Sequence, residues 1–278
     1  MTSKDENVDL ALFKIMHNKF QNSELYLRVL SSIIMIVLST LLLVLGGILF
    51  EISLLLLAAI LAWEILGFDD NKNKLKILNA SLFAFSFATY IWFLPILSLI
   101  FLFIFLFYYK IIIKHEDFNK RAIYFIVILL SLVSLSHLRS DIGLIETIWV
   151  ICCVISSDIG GYFVGRYVGG PKLWPVISPK KTWSGIIGGW ILALSTTYVF
   201  IFFSANIEYS FLYFSVFIAI FSQFGDLFES SIKRSAKVKD SSKLIPGHGG
   251  FLDRFDGMIG AFFAICVIYI LDIYNWIF

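Results

Sequence analysis

The stretch GDLFESSIKRSAKVKDSSKLIPGHGGFLDRFDG, residues 225–257, joins two long apolar segments and differs from the rest of the chain. It contains four Asp, one Glu, four Lys, two Arg and a His-Gly-Gly turn. The chain of 278 residues is 59% hydrophobic and only 15% charged, so charge this dense at one place needs a specific reason. Ionisable groups within apolar helices are costly, and they mark a functional site by default.

Outside this stretch the chain consists mainly of apolar runs that are long enough to cross a bilayer, which takes about 20 residues of helix. Soluble domains carry about 25% charged residues, whereas this chain carries 15%. We therefore predict an all-α polytopic membrane protein with about nine transmembrane helices. The predicted spans are residues 29–49, 52–68, 77–93, 95–113, 122–137, 143–164, 186–204, 209–230 and 256–277.

The basic residues are distributed unevenly between the predicted loops. With a cytoplasmic N-terminus, nine spans place all of the 22 Lys and Arg residues except Arg139 on the cytoplasmic side. This asymmetry follows the positive-inside rule, and it predicts a C-terminus outside. We predict a cytoplasmic arm at 1–28 and one membrane domain at 29–278, with functional cytoplasmic loops at about 165–185 and 231–255. A net charge of +2 gives no sign of a nucleic-acid partner, and we expect none.

Two acidic pairs lie where the last two predicted helices meet the charged stretch. Asp226 and Glu229 are three residues apart, as are Asp253 and Asp256, so each pair shares a helix face. Clustered carboxylates repel each other unless a cation neutralises them, and hard oxygen ligands suit Mg²⁺. Asp158 lies at the cytoplasmic end of another predicted span. The acids therefore predict a metal site at the cytoplasmic ends of the helices.

Cationic side chains and glycines accompany these acids, and both suit phosphate groups. The cationic residues nearest to the acids are Lys233, Arg234, Lys239, Lys243 and Arg254. A flexible turn follows Pro246 and contains Gly247, His248, Gly249 and Gly250. Carboxylates for a metal, together with cations for phosphates, are what phosphoryl or nucleotidyl transfer requires.

The earlier cytoplasmic loop adds the sequences SDIGGYFVGRYVGG, residues 157–170, and ISPKKTWSGIIGG, residues 177–189. The segment Ser178 to Thr182 presents two lysines and two hydroxyls just before a helix start, which predicts an anion-binding element. The glycines at 160, 161 and 165 suit either a ligand or close helix packing. The chain contains no GxxxxGK[ST] pattern, so a P-loop NTPase is excluded.

Taken in order, these residues resemble the signature of phosphatidate cytidylyltransferases, the CDP-diacylglycerol synthases. The matching segments are SSIKR at 230–234, KD at 239–240 and IPGHGGFLDRFD at 245–256. The DIGGYFVGR and SPKKTW segments are similar to upstream elements of that family and follow the same order. One departure is Ser184, because many members carry an acid after the tryptophan of SPKKTW.

The resemblance implies transfer of CMP from CTP to phosphatidate, which yields CDP-diacylglycerol and pyrophosphate for phospholipid biosynthesis. It further implies Mg²⁺ as cofactor, K⁺ as a candidate second ion, and a homodimer in the bacterial inner membrane with its active site facing the cytoplasm. The implied metal ligands are Asp226 and Asp253. The implied catalytic residues are Asp226, Asp253, Asp256, Lys239, His248 and Arg254. The implied substrate-binding residues are Asp158, Ser178, Lys180, Lys181, Lys233, Arg234, Asp240, Gly249 and Gly250.

Other functions fit parts of the pattern. Another nucleotide-dependent lipid transferase or a lipid-alcohol kinase would use a similar membrane core. A CDP-alcohol phosphotransferase is disfavoured because its DG…AR…G…D…D spacing is absent. A cation-coupled transporter also uses intramembrane carboxylates, but its sites lie near the midplane at broken helices. Glu64, inside the second span, and Glu51, at its boundary, have no motif around them and receive no function.

Overall fold

The computed structural model describes residues 25–68, 73–112, 117–203 and 207–271. Within these ranges the chain forms nine α-helices and one short antiparallel hairpin. The helices are α1 (Leu25–Leu45), α2 (Gly47–Leu66), α3 (Asn73–Trp92), α4 (Pro95–Ile112), α5 (Phe118–His137), α6 (Leu144–Tyr167), α7 (Trp183–Phe203), α8 (Phe211–Ser235) and α9 (Leu252–Ile270). The strands are β1 (Lys172–Trp174) and β2 (Ser178–Thr182). Most of the predicted arm at 1–28 and the predicted end of the last span, 272–277, lie outside the described residues.

Seven of these helices are long and apolar enough to cross a membrane: α1, α2, α3, α5, α6, α7 and α8. The apolar part of α4 is shorter, Pro95–Ile111. Helix α9 has the length but begins with the charged residues Asp253, Arg254 and Asp256. The predicted class, an all-α polytopic membrane protein, is confirmed by this arrangement.

The first two helices are separated earlier than the hydropathy pattern indicates. Gly46 and Gly47 have φ angles of 61° and 55°, a backbone conformation that glycine adopts without steric cost. Helix α2 therefore begins at Gly47, and Glu51 lies within it rather than in a turn. The Glu51 Oε2 atom accepts a hydrogen bond of 2.8 Å from Trp92 Nε1.

Helix α5 is central and α1 is peripheral. In the span Phe118–Ile142, 72% of the apolar window is buried inside the protein, whereas the corresponding value for α1 is 0%. The ring of Phe125 on α5 packs edge-on against Phe105 of α4, with centroids 4.8 Å apart, and lies 5.2 Å from the ring of Phe83 of α3. Such aromatic pairs contribute about 0.5–1.5 kcal/mol each beyond their buried area.

Glycines allow α6 and α7 to pack backbone against backbone. A Cβ atom on Gly160 would lie 2.6 Å from the Gly188 carbonyl oxygen, and one on Gly185 would lie 2.6 Å from that of Gly161. Both distances are too short for a real side chain. The glycines that suited either a ligand or helix packing are therefore used for packing here. The β-hairpin connects these two helices at one end of the bundle.

A second glycine contact brings α8 and α9 together. A Cβ atom on Gly225 would lie 2.9 Å from Gly260 Cα, and one on Gly257 would lie 2.8 Å from Ser222 Oγ. Gly225 and Gly257 each adjoin an acid in the sequence, Asp226 and Asp256. The close crossing therefore places those two acids side by side.

The polar connections are shorter than the sequence indicates. Helix α8 continues to Ser235 and α9 begins at Leu252, so residues 236–251 form the connecting segment, which we name the signature loop. The i,i+4 pair Glu229–Lys233 favours this helical extension. In the earlier connection the segment SPKKT is strand β2. The sequence predicts an anion-binding element just before a helix start at this segment, and it predicts no strand there.

Candidate functional site

Three carboxylates meet where α8 and α9 cross. Asp226 and Glu229 belong to α8 and Asp256 to α9, and one oxygen atom from each lies within 4.8 Å of the others. We name this group the acid cluster. The Asp256 Oδ1 atom accepts a hydrogen bond of 2.7 Å from the Gly257 backbone N–H. Like charges this close require a cation or a proton to offset their repulsion.

Two lysines partly offset the charge. Lys181 of β2 places Nζ 2.6 Å from Asp226 Oδ2. Lys233 of α8 places Nζ 2.6 Å from Glu229 Oε2 and 2.6 Å from Asp253 Oδ1. Buried ion pairs persist only when further hydrogen bonds satisfy the remaining polar atoms. The two lysines therefore fix the acids in place as well as neutralising them.

The donor set fits a hard divalent cation. Glu229 is fully buried, its Oε2 atom pairs with Lys233, and its Oε1 atom has no hydrogen-bond partner within the described ranges. Asp158 of α6 lies nearby, its Oδ2 atom 3.7 Å from where a Cβ on Gly257 would be. With Asp253, the carboxylates in this region outnumber the two lysines. Oxygen ligands and excess negative charge are what Mg²⁺ prefers.

Asp253 has a different environment from the acid cluster. Its Oδ2 atom accepts hydrogen bonds from the Ser241 backbone N–H at 2.8 Å, from Ser241 Oγ at 2.9 Å and from the Gly250 N–H at 2.9 Å. Its Oδ1 atom pairs with Lys233. The structure thus joins Asp226 to Asp256 and Glu229, whereas Asp253 holds both ends of the signature loop. The metal pair Asp226–Asp253 stays a prediction that this geometry does not favour.

Glu64 of α2 is a site residue to which the sequence assigned no function. Its side chain is 1% exposed, and its carboxylate accepts hydrogen bonds from the backbone N–H groups of Phe251 at 2.9 Å and Leu252 at 2.6 Å. Ser242 Oγ donates to it at 2.6 Å. Glu64 therefore caps the first turn of α9, where unpaired N–H groups attract an anion. A buried acid in an apolar span was the available signal, but its partners are distant in sequence.

The signature loop closes on itself near its C-terminal end. The Ile245 N–H donates to the Gly249 carbonyl at 2.8 Å, and the His248 N–H donates to the Ile245 carbonyl at 3.0 Å. Gly247 and Gly249 have φ angles of 77° and 85°, which favour glycine. At Gly250 a Cβ atom would collide with Ser241 Oγ and with the Glu64 carboxylate. The predicted glycine turn is therefore a tight structure with no room for larger residues.

The predicted catalytic residue His248 lies against α1. Its Nδ1 atom is 2.9 Å from Ser31 Oγ and its Nε2 atom is 3.3 Å from Ser32 Oγ. Burial, together with the positive charges of Arg254 and Arg28, lowers the pKa of His248 below its ordinary value. Arg254, also predicted to be catalytic, donates from Nε and Nη2 to the His248 carbonyl at 3.2 and 2.8 Å.

The predicted anion-binding element around SPKKT divides between two environments. Lys181 points to Asp226, as described, while the adjacent Lys180 is exposed. Ser178 begins strand β2, opposite Trp174. Ser184 donates a hydrogen bond to the Gly169 carbonyl, and so it closes the base of the hairpin in the position where many family members carry an acid.

The remaining predicted residues lie in the signature loop or at its start. Arg234 donates from Nη1 to the Val238 carbonyl at 3.0 Å, while Lys239 and Asp240 are exposed. Gly249 lies against Asp253, because a Cβ atom there would be 2.8 Å from Oδ2. None of these residues belongs to the acid cluster.

Two further polar residues near the acids were not predicted. Gln223 donates to Ser157 Oγ at 3.3 Å and to the Ile186 carbonyl at 3.3 Å, so it joins α6, α7 and α8 just before Asp226. The hydroxyl of Tyr124 on α5 is buried without a hydrogen-bond partner among the described residues. Neither residue lies in a motif, and a single polar group within an apolar span gives little sequence signal.

The fold and site together define a class of protein: a polytopic membrane protein with a carboxylate and lysine site at one end of the helix bundle. Such a site suits transfer of a phosphate-containing group. The model of the cytidylyltransferase family matches residues 26–273. The chain therefore belongs to the cytidylyltransferase family.

Individual relatives agree with this assignment. The chain is 44% identical over 137 residues to a phosphatidate cytidylyltransferase of Haemophilus influenzae, covering 46% of this chain and 48% of the relative. It is 47% identical over 124 residues to that of Staphylococcus haemolyticus, covering 44% and 47%. With that of Bacillus subtilis it shares 47% identity over 115 residues, covering 40% and 43%. In these alignments the chain spans about half the length of the curated relatives it matches.

Proposed function

We propose that this protein is a phosphatidate cytidylyltransferase of phospholipid biosynthesis, transferring CMP from CTP to phosphatidate. The observation that carries the proposal is the acid cluster with its two lysines. Asp256 and Lys233 lie in the signature segments and Lys181 lies in the SPKKTW segment, while Asp226 and Glu229 directly precede SSIKR. The names of the relatives support the substrate assignment. An anionic site with adjacent cations is suited to a metal-bound triphosphate and to a lipid phosphate.

The proposed reaction is an in-line displacement at the α-phosphorus of CTP. A phosphatidate oxygen forms the new bond to that phosphorus, while the bond to the oxygen bridging the α and β phosphates breaks. The products are CDP-diacylglycerol and pyrophosphate. The attacking phosphate is already anionic near neutral pH, so no general base is needed. This agrees with the contacts of His248, which face α1 and not the acid cluster.

We propose Asp226, Asp256 and the more deeply buried Glu229 as the ligands of Mg²⁺. Their oxygens converge, and the Oε1 atom of buried Glu229 has no hydrogen-bond donor in the described part of the chain. When bound, the ion would neutralise charge on the transferring phosphate and on the leaving pyrophosphate. A K⁺ ion remains a prediction of the resemblance, with no ligand set proposed here.

The lysines and arginines have separate proposed roles. Lys181 and Lys233 hold Asp226 and Glu229 in position. Their ammonium groups can also donate strong charge-assisted hydrogen bonds to phosphate oxygens. Lys180 and Lys239 are exposed at the same end of the bundle, where the phosphates of CTP would arrive. Arg254 fixes the backbone of the glycine turn through the His248 carbonyl.

We further propose that the site faces the cytoplasm of a bacterium from its inner membrane. In the described chain the basic residues gather at the bundle end that holds the acids, while Arg139 contacts the Leu43 carbonyl at the other end. That distribution supports the orientation by the positive-inside rule. Phosphatidate would then enter sideways between helices. The homodimer and the absence of a nucleic-acid partner remain predictions.

The test is pyrophosphate release by the purified protein with CTP, Mg²⁺ and phosphatidate. Asp226→Asn should abolish release, while Glu51→Gln should leave it unchanged, because Glu51 accepts its hydrogen bond from Trp92, at the opposite end of the bundle. Substituting ATP for CTP, or a lipid alcohol for phosphatidate, separates the proposed reaction from lipid-kinase activity. Full activity of Asp226→Asn would refute the role of the acid cluster.

A further inference from the structure

Helix α1 contacts the signature loop although it is otherwise peripheral. None of its apolar window is buried inside the protein, yet its first turns bind the tip of the loop. Ser31 Oγ lies 2.9 Å from His248 Nδ1, and Ser32 Oγ lies 3.3 Å from Nε2. Both ring nitrogens of His248 are therefore occupied by hydroxyl groups of one helix.

The same turn of α1 makes two further contacts with the loop. Ser31 Oγ donates to the Pro246 carbonyl at 3.2 Å. The aliphatic stem of Arg28 packs on Gly247, since a Cβ atom on that glycine would lie 2.6 Å from Arg28 Cγ. Together these contacts involve three consecutive residues of the loop, 246–248, with complementary donors and acceptors.

The attachment to α1 complements the anchors at the base of the loop. Glu64 and Asp253 hold residues 241, 242 and 250–252 by hydrogen bonds to backbone and hydroxyl groups. Residues 246–248 lie between those anchors, at the tip. The tip directly precedes Gly249 and Gly250, which adjoin Asp253.

We propose that Ser31 and Ser32 are positioning residues for cytidylyl transfer, which act through the His248 ring to hold the glycine turn against Asp253. The inference rests on the proposed function, and it makes His248 itself a positioning residue. A hydroxyl donates or accepts as its partner requires, so the two serines can bind both nitrogens of the neutral ring. The guanidinium groups of Arg28 and Arg254 favour the neutral ring.

The first experiment is a mutant cycle in the pyrophosphate-release assay. The variants are Ser31→Ala/Ser32→Ala, His248→Ala and the triple combination. Residues that act as a unit are not additive, so the triple variant should lose no more kcat/KM than His248→Ala alone. The serine double variant should itself lose roughly tenfold or more, about the effect of one or two hydrogen bonds.

Matched controls separate positioning from general damage to the helix. Ser39 lies on the same helix, and its hydroxyl donates within that helix to the Ile36 carbonyl at 3.2 Å, so Ser39→Ala should retain wild-type kinetics. Ser31→Thr keeps the hydroxyl and should restore most of the activity. The proposal would be overturned if the loss of kcat/KM in the triple variant equalled the product of the losses in the serine double variant and in His248→Ala. Wild-type kinetics for the serine double variant would overturn it as well.

A second measurement does not depend on CTP turnover. Limited trypsin digestion of the detergent-solubilised protein should cut after exposed Lys243 in the signature loop several times faster in Ser31→Ala/Ser32→Ala than in the wild type. Unchanged cleavage would refute the attachment. A wild-type protein that releases no pyrophosphate but shows the protease effect would refute the proposed function and leave the attachment to α1 supported.

Discussion

At the scale of single residues, Glu229 carries the most unusual environment in the site. Its carboxylate is fully buried, its Oε1 atom has no hydrogen-bond partner among the described residues, and its Oε2 atom pairs with Lys233. Isolated buried charges are strongly unfavourable. The same lysine also pairs with Asp253. One ammonium group therefore contacts both an acid of the cluster and the acid that binds the signature loop.

Lys233→Met should therefore destabilise the protein by about 3–5 kcal/mol, because removal of one partner leaves buried charges uncompensated. Unfolding in detergent, followed by circular dichroism against urea or temperature, measures the change. Lys243→Met is the matched control, since Lys243 is exposed, and it should have almost no effect. Equal stability of the two variants would show that the buried pair contributes little.

His248 gives a prediction about pH. The folded protein lowers the pKa of His248 through burial and the nearby charges of Arg254 and Arg28, so a detached or unfolded loop binds the proton more readily. The stabilisation from the neutral ring is therefore present above about pH 6.5, the ordinary pKa, and is lost as the pH falls below it.

Hydrogen exchange of the loop backbone at pH 7.5 and pH 5.5 tests this. After correction for intrinsic rates, the tip around residues 246–249 should be less protected at the lower pH. His248→Asn removes the titrating ring, so its protection should not depend on pH in this range. A pH effect of the same size in both proteins would rule out the histidine as its source.

At the scale of elements, the crossing of α8 and α9 determines the site. Gly225 is in direct contact with Gly260, and the acids next to the crossing converge. A methyl group at Gly225 would push the helices apart by steric overlap. A misplacement of about 1 Å at a reacting centre can lower the rate about a hundredfold.

We expect Gly225→Ala to lose about a hundredfold in kcat and about 1–3 kcal/mol in stability from overpacking. Gly161→Ala is the control, because its new Cβ atom would lie 3.5 Å from the Gly185 carbonyl, an ordinary contact. Pyrophosphate release and thermal unfolding measure the two effects. Wild-type rates for Gly225→Ala would mean that the separation of the two helices is not critical.

The start of α9 depends on a residue of α2. Replacing Glu64 with Leu removes the acceptor for the Phe251 and Leu252 N–H groups. Leaving buried donors unsatisfied costs about 1–3 kcal/mol. Glu64→Gln, which keeps one carbonyl oxygen, should be less destabilised than Glu64→Leu. Urea unfolding of the two variants gives the order, and the reverse order would contradict the capping role.

The sequence predicted some elements well for physical reasons. The length of each apolar run can be read directly from the sequence, and it predicted the helices. The distribution of Lys and Arg between the loops predicted that the acids and the basic loops lie at the same end of the bundle. The spacing of Asp226 and Glu229 placed them on one face of α8, where the structure has them. The hairpin was missed because strand β2 forms through pairing with β1, and such pairing is not encoded in the period of a single segment.

Other parts of the site depend on contacts that are distant in the chain. Lys181 pairs with Asp226 of α8, 45 residues later in the sequence, and Glu64 binds Phe251, 187 residues away. From their helical spacing alone, Asp253 and Asp256 are predicted to be an equivalent pair of acids on one helix face. Only the folded loop distinguishes them, because Asp253 accepts hydrogen bonds from Ser241 and Gly250.

At the scale of the whole molecule, the bundle has two different polar ends. One end holds the acid cluster, the hairpin and the signature loop, and the other holds Arg139 bound to the Leu43 carbonyl. This polarity gives a prediction about orientation in the cell. A cysteine in place of exposed Lys172 on β1 should face the cytoplasm, while one in place of Ser140 should face outside.

A membrane-impermeant maleimide applied to intact spheroplasts tests the orientation. Relative to the unsubstituted protein, Ser140→Cys should label before lysis and Lys172→Cys only after it. The lysed sample is the internal control for reactivity of both positions. Labelling of Lys172→Cys in intact spheroplasts would reverse the proposed topology.

The central claim is that the acid cluster transfers CMP to a phosphorylated lipid. The most direct measurement follows CTP labelled at its α-phosphate, or at its γ-phosphate, with purified protein, Mg²⁺ and phosphatidate. The account predicts that the α-label enters the chloroform-soluble lipid, that the γ-label appears as aqueous pyrophosphate, and that Asp256→Asn eliminates both. Transfer of the γ-label to lipid, or full transfer by Asp256→Asn, would contradict it.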